Sequence, residues 1–155
     1  MTRLVTGFAA VLIGIAVGGS VTNAADEHAT KEQAVAMVKK AVAFIKDNGG
    51  EKAYAEISKK GGPFTDRDLY ITIYRLDGHV FAHGANDKLI GTDQSQAKDT
   101  DGKPFVAERL ELAKKGQPFW QEYRYMNPVS HTVEPKEMYC EPLNDVVVCG
   151  GVYKF

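Results

Sequence analysis

Hydrophobic and polar positions alternate with a period of two over residues 69–76, where Leu69, Ile71 and Ile73 interleave with Tyr70, Thr72 and Tyr74. The pattern predicts a strand with different chemistry on its two faces. Asp77-Gly78 follows, a two-residue hairpin signal of the type I′ kind. That turn sets an expected register in which Tyr74 faces Phe81, Ile73 faces Ala82 and Thr72 faces His83. Paired residues share a face. One side is therefore expected to carry Tyr70, Thr72, Tyr74, Phe81 and His83, and to read as a pocket wall. The other is aliphatic and reads as core.

Elsewhere the period lengthens. Thr30-Lys31-Glu32-Gln33 has the form of a capping box, and Ala34, Val35, Val38, Ala41, Val42 and Ile45 follow at helical spacing until Asn48-Gly49-Gly50. A shorter amphipathic segment spans Glu51–Lys60. After a polar stretch over 86–101, Asp101 is the expected N-cap of a third helix with Pro104 in its first turn. Its inner stripe is Val106, Leu110 and Ala113, and Gly116 closes it. Period-two patterns return at Phe119–Met126, Lys136–Glu141 and Val146–Tyr153. Five strands and three helices, with one helix crossing between the second and third strands, predict an α+β fold. Their order is that of a PAS-like core, an antiparallel five-stranded sheet behind a long N-terminal helix.

The N-terminus changes the picture of where the domain begins. Arg3, the apolar run Leu4–Val17 and the small residues Thr22-Asn23-Ala24 form a secretory signal peptide over 1–24, cleaved near Ala24. Gly18, Gly19 and Ser20 break the run before the roughly 20 apolar residues of a membrane span. The remaining 25–155 is one domain, 131 residues long, with 18 basic and 20 acidic side chains. No basic stripe marks a nucleic-acid partner.

The two cysteines, Cys140 and Cys149, suit a disulfide in an exported chain. A turn at Asn144-Asp145 pairs Leu143 with Val146 and sets Cys140 opposite Cys149. A bridge there requires the close, non-hydrogen-bonded kind of strand pair.

Enzyme and metal motifs are weak. His79 and His83 lie on a strand, where four residues span roughly 13 Å, too far to share one ion. Ala97–Glu108 imitates a calcium loop but has Ala97 at its first ligand position. No nucleophile elbow or phosphate loop occurs. The expectation is a non-enzyme that needs no metal or cofactor.

The ordered set Asp77-Gly78, Ala82-His83-Gly84, Leu89-Ile90-Gly91-Thr92-Asp93 and 98–105 (KDTDGKPF) resembles the single Cache domain, second subtype. Tyr123-Arg124-Tyr125, Asn127-Pro128, Val133-Glu134-Pro135-Lys136, Tyr139 and Gly150-Gly151-Val152-Tyr153 continue it. The resemblance covers Thr30–Tyr153. It implies an extracytoplasmic sensor of small carboxylates such as acetate, propionate, pyruvate or lactate. Family members are mostly ectodomains of chemoreceptors or histidine kinases. Here the chain stops at Phe155, so the expectation is a stand-alone periplasmic binding domain that signals through such a membrane partner. The contrasting expectation is an interaction module that docks on a receptor or kinase without a ligand of its own. A carboxylate site needs cationic donors, hydroxyls and an apolar enclosure. The candidates are Tyr70, Thr72, Tyr74 and His83 on the first hairpin, Tyr123 and Tyr125 on the third strand, and Lys136 on the fourth. Lys136 and His83 supply positive charge in this reading.

Overall fold

The computed structural model describes residues 28–154. The signal peptide expected over 1–24 lies outside the described residues.

Helix α1 runs Lys31–Asn48 and starts at the expected capping box. Gln33 N–H donates to Thr30 Oγ1, while Thr30 N–H donates to the Gln33 side chain at 2.8 Å. Such a cap stabilises the helix by about 1 kcal/mol. Gly49, at φ 79°, ends it. Helix α2, Gly50–Ile57, follows at once and stops earlier than the pattern indicates. The apolar stripes of both helices lie on one face of the sheet. Val38, Ala41, Ile45 and Ile57 pack there against Ile71, Ile73 and Val148, the aliphatic side of the hairpin.

All five expected strands form, and a two-residue β1, Thr65–Asp66, adds a sixth by pairing with the start of β2. The others are β2, Leu69–Arg75; β3, Val80–His83; β4, Phe119–Met126; β5, Val133–Leu143; and β6, Val146–Tyr153. Order across the sheet is β3-β2-β6-β5-β4, with every neighbour antiparallel.

The hairpin turn differs from the expected type I′. Gly78 N–H donates to the Arg75 carbonyl, Arg75 pairs with His79 in the backbone, and Gly78 alone takes a positive φ of 102°. This is a three-residue turn closed by a left-handed glycine, which shifts the register by one residue. Tyr74 therefore faces Val80, and a bulge beyond it restores the expected pairs Ile73–Ala82 and Thr72–His83. The bulge turns Phe81 away from the pocket side, where it meets Tyr54 instead. Tyr70, Thr72, Tyr74 and His83 keep their shared face.

Helix α3, Phe105–Ala113, covers that face. Its N-cap is Pro104 rather than Asp101. Asp99 takes the organising role, accepting from the N–H groups of Asp101 and Lys103 with one oxygen and of Arg124 on β4 with the other. Its oxygens are thereby occupied in fastening the loop to the sheet.

The C-terminal hairpin follows the expected register. Asn144 sits at φ 53°, Leu143 pairs with Val146, and Cys140 faces Cys149 across a 4.2 Å Cα separation. That is the close, non-hydrogen-bonded spacing, and the two cysteines are joined in a disulfide.

Candidate functional site

The face under α3 is aromatic and polar where the opposite face is aliphatic, and its polar groups are deeply buried. Tyr70, Thr72, Tyr74, His83, Tyr123 and Lys136 are all buried, and Tyr125 is half-buried. A cavity of about 260 Å³ opens beside them, lined by Tyr70, His83 and Tyr125 together with Asn86, Met126 and His131.

Lys136 is 1% exposed. Its side chain reaches inward because Gly151 lies beside it on β6. A Cβ there would stand 2.9 Å from Lys136 Cε and 2.7 Å from the Glu137 carbonyl oxygen. The amine arrives among three rings, 3.9 Å from the centroid of Tyr70, 4.6 Å from Tyr153 and 5.8 Å from Tyr125. Lys136 Nζ and Tyr153 Oη are 3.2 Å apart. Tyr153 Oη in turn donates to the Met126 carbonyl at 2.8 Å and lies 3.3 Å from Tyr70 Oη. Burial pushes the amine well below the usual lysine range, and the Arg109 charge acts in the same direction. Burial also raises the tyrosines, Tyr125 up to about 12, so their hydroxyls remain protonated donors at neutral pH.

His83 plays a different part from the one its sequence suggested. Its Nδ1 accepts from Ala85 N–H at 3.3 Å and from Asn86 N–H at 3.0 Å. A ring nitrogen that accepts carries no proton, so the imidazole is neutral with its hydrogen on Nε2. Burial, with Lys136 and Arg109 nearby, lowers its pKa to about 3. His83 is thus a neutral donor stacked on Tyr70 at 5.1 Å, and does not supply the expected positive charge.

That charge comes from Arg109, which the sequence reading left out. It is 1% exposed and stands 5.1 Å from the ring of Tyr74, 5.2 Å from Tyr123 and 5.5 Å from Phe105. Nε donates to Gln121 Oε1 at 3.1 Å, and Gln121 is held by the Phe105 carbonyl. Nη2 is buried with no hydrogen-bond partner, and so is Thr72 Oγ1. Burial opposes the guanidinium charge, but Tyr123 and Tyr74 offset it and the pKa is raised. Thr72 lies between Tyr70 and Tyr74 on β2, hence between the ring beneath Lys136 and the ring beneath Arg109. The Arg109 guanidinium, the Lys136 amine and an unsatisfied hydroxyl therefore flank one stretch of strand. Such an arrangement offers positive charge and hydrogen-bonding groups at which a small anion can be held.

Arg109 was legible in principle, since Phe105, Arg109 and Ala113 recur every four residues on the buried side of α3. Tyr153 belongs to the same lysine-centred cluster, a role visible only once β6 is seen beside β5.

The sequence profile of the Single Cache domain 2 family matches residues 17–154. No curated protein matches the chain. Among solved structures, one described as "Structural basis for carboxylic acid recognition by a Cache chemosensory domain" superposes with a TM-score of 0.71 at 24% identity, over 80% of this chain and 92% of that one. A methyl-accepting chemotaxis protein from Vibrio parahaemolyticus aligns at TM-score 0.66 and 23% identity, over 79% of this chain and 87% of that one. A periplasmic sensor domain of a chemotaxis protein aligns at 0.61 and 21%, over 80% and 90%. With its six-stranded antiparallel sheet, N-terminal helix and nearly full-length profile match, the chain belongs to the Single Cache domain 2 family.

Proposed function

We propose that this domain is an extracytoplasmic sensor that binds a small monocarboxylic acid between the sheet and α3. One observation carries the reading. The buried Arg109 has an unpartnered Nη2 and lies against the rings of Tyr74 and Tyr123, and the strand that carries Tyr74 also carries the unpartnered hydroxyl of Thr72. A carboxylate satisfies both groups and neutralises the charge. Tyr74 and Tyr123 complete the anion end, while Tyr70, His83, Tyr125 and Lys136 form the wall that reads the rest of the ligand. The neighbouring cavity of about 260 Å³, lined by Tyr70, His83 and Tyr125, has room for acids of two to four carbons, the class of acetate, propionate, pyruvate and lactate. Carboxylic acid recognition in a Cache chemosensory domain of similar fold supports the ligand class. In the proposed scheme the loaded domain is read by a membrane chemoreceptor or histidine kinase.

The test is a thermal melt of the oxidised domain against short carboxylates, amino acids and amines. A ligand at a hundredfold excess over Kd stabilises the native state by about 2.7 kcal/mol, which shifts Tm by several degrees. A shift confined to carboxylates is the expected result. A flat panel with a well-folded protein favours the interaction module instead. The surface for that second reading is the cleft between α1 and β4, lined by Lys31, Val35, Lys39 and the exposed Trp120.

A further inference from the structure

Lys136 has a feature that holding an anion leaves unused. The single proton of the Tyr153 hydroxyl points to the Met126 carbonyl, so in the contact between Lys136 and Tyr153 the lysine is the donor. The amine's lone pair is left unengaged when the group is neutral. Asp68 is the carboxylate whose charge favours the protonated lysine, and its two oxygens are committed to His28 Nδ1 at 2.7 Å and Ala29 N–H at 3.0 Å. The surroundings are rings, and the Arg109 charge further disfavours the protonated amine. Desolvation beside another cation is the general way a lysine is made nucleophilic near neutral pH. Two hydroxyls, Tyr153 and Tyr70, stand ready to relay protons.

We propose that Lys136 is a covalent ligand site, at which its ε-amine condenses reversibly with the carbonyl of a short 2-oxo acid whose carboxylate is held by Arg109 and Thr72. The inference rests on the carboxylate reading of this pocket and narrows it to acids bearing an adjacent carbonyl. The amine lone pair forms the C–N bond while the carbonyl π pair moves to oxygen, which takes up a proton, giving a carbinolamine. The hydroxyl then leaves as water, the nitrogen loses its remaining proton and C=N forms. One amine and one ketone give one imine and one water, so no oxidant or reductant is consumed. Gly151 is what allows the lysine to reach this position, since any side chain there meets Lys136 Cε.

The test is to incubate the full, oxidised chain near neutral pH with pyruvate and sodium cyanoborohydride, which reduces imines and spares disulfides. Intact mass and peptide mapping then locate the adduct. An exposed lysine, with a pKa of about 10.4, is neutral in only about one molecule in 2,500 at pH 7, so background labelling is low and spread out. The expected result is one reduced pyruvyl group on the peptide holding Lys136, suppressed by excess propionate and absent with lactate. Lys136→Met should lose the adduct while remaining folded. If that variant does not fold, the propionate competition on the wild-type chain decides. Pyruvate and lactate raising Tm equally, with no adduct at Lys136, would overturn the covalent step and leave carboxylate binding standing. Labelling scattered over exposed lysines and insensitive to propionate also overturns it. No acid raising Tm and no adduct removes both readings.

Discussion

Lys136 on β5 holds its amine 3.9 Å from the ring centroid of Tyr70 on β2, two strands away across Gly151. A lysine spans that gap because the intervening strand has no side chain at the crossing point. Gly151→Ala should therefore destabilise the fold by about 1–3 kcal/mol, as overpacking of a closed core does, and displace the amine. Urea denaturation gives the first effect and acid-induced shifts in Tm the second. An alanine variant equal to wild type in both would remove Gly151 from the site.

Arg109→Met keeps length and packing but removes the charge and its donors. Charge-assisted hydrogen bonds contribute roughly 1.5–3 kcal/mol, so affinity for a short carboxylate should fall between about tenfold and a hundredfold. Arg109→Lys should recover little of it, because the ammonium lacks the planar fork. Titration calorimetry on the three proteins checks this.

Thr72→Val separates stability from binding. The hydroxyl is buried without a partner, and valine keeps the branched shape that suits a strand. The ligand-free variant should match or exceed wild type by up to about 1 kcal/mol, yet bind the acid more weakly. A variant less stable than wild type, with unchanged affinity, would show that Thr72 Oγ1 serves the fold.

His83 makes stability depend on pH with a definite sign. Its folded pKa is lowered to about 3 from 6.5, so the unfolded chain takes a proton first. The contribution is fully present above pH 6.5 and is lost progressively as pH falls towards 3. Urea midpoints for wild type and His83→Gln should converge across that window from a difference that is constant above it. Parallel curves would mean that the imidazole is not held neutral.

Replacing both Cys140 and Cys149 by alanine should cost about 2–4 kcal/mol, the usual range for a disulfide. Adding reductant should reproduce the loss in the wild-type chain and leave the double variant unchanged.

The sequence carried most of the scaffold. The capping box at Thr30, the left-handed Asn144 turn and the Cys140–Cys149 register are local signals, and the folded chain follows them. The first hairpin was legible except at its turn. Asp77-Gly78 fits either a two-residue or a three-residue loop, and the choice decides whether Phe81 faces the pocket or Tyr54. The candidate face was legible in outline, and Tyr70, Thr72, Tyr74, Tyr123 and Lys136 lie together on it. Its charges were assigned less well. Backbone N–H groups that neutralise His83 come from a turn no pattern specifies, and Arg109 was passed over as one polar residue in an apolar stripe.

The centre of the sheet has a consequence for how the molecule is made. Strands β2 and β3 on one side, and β5 and β4 on the other, meet only through β6, which follows them all in the chain. Tyr70, Thr72 and His83 come from one half, Tyr123 and Lys136 from the other. Neither half holds a pocket alone, and long-range pairing of this kind is slow to form. The proposed site is therefore complete only once β6 has paired with both halves. An acid bound at the proposed site would thus report finished molecules and add its stabilisation only to chains whose assembly is complete.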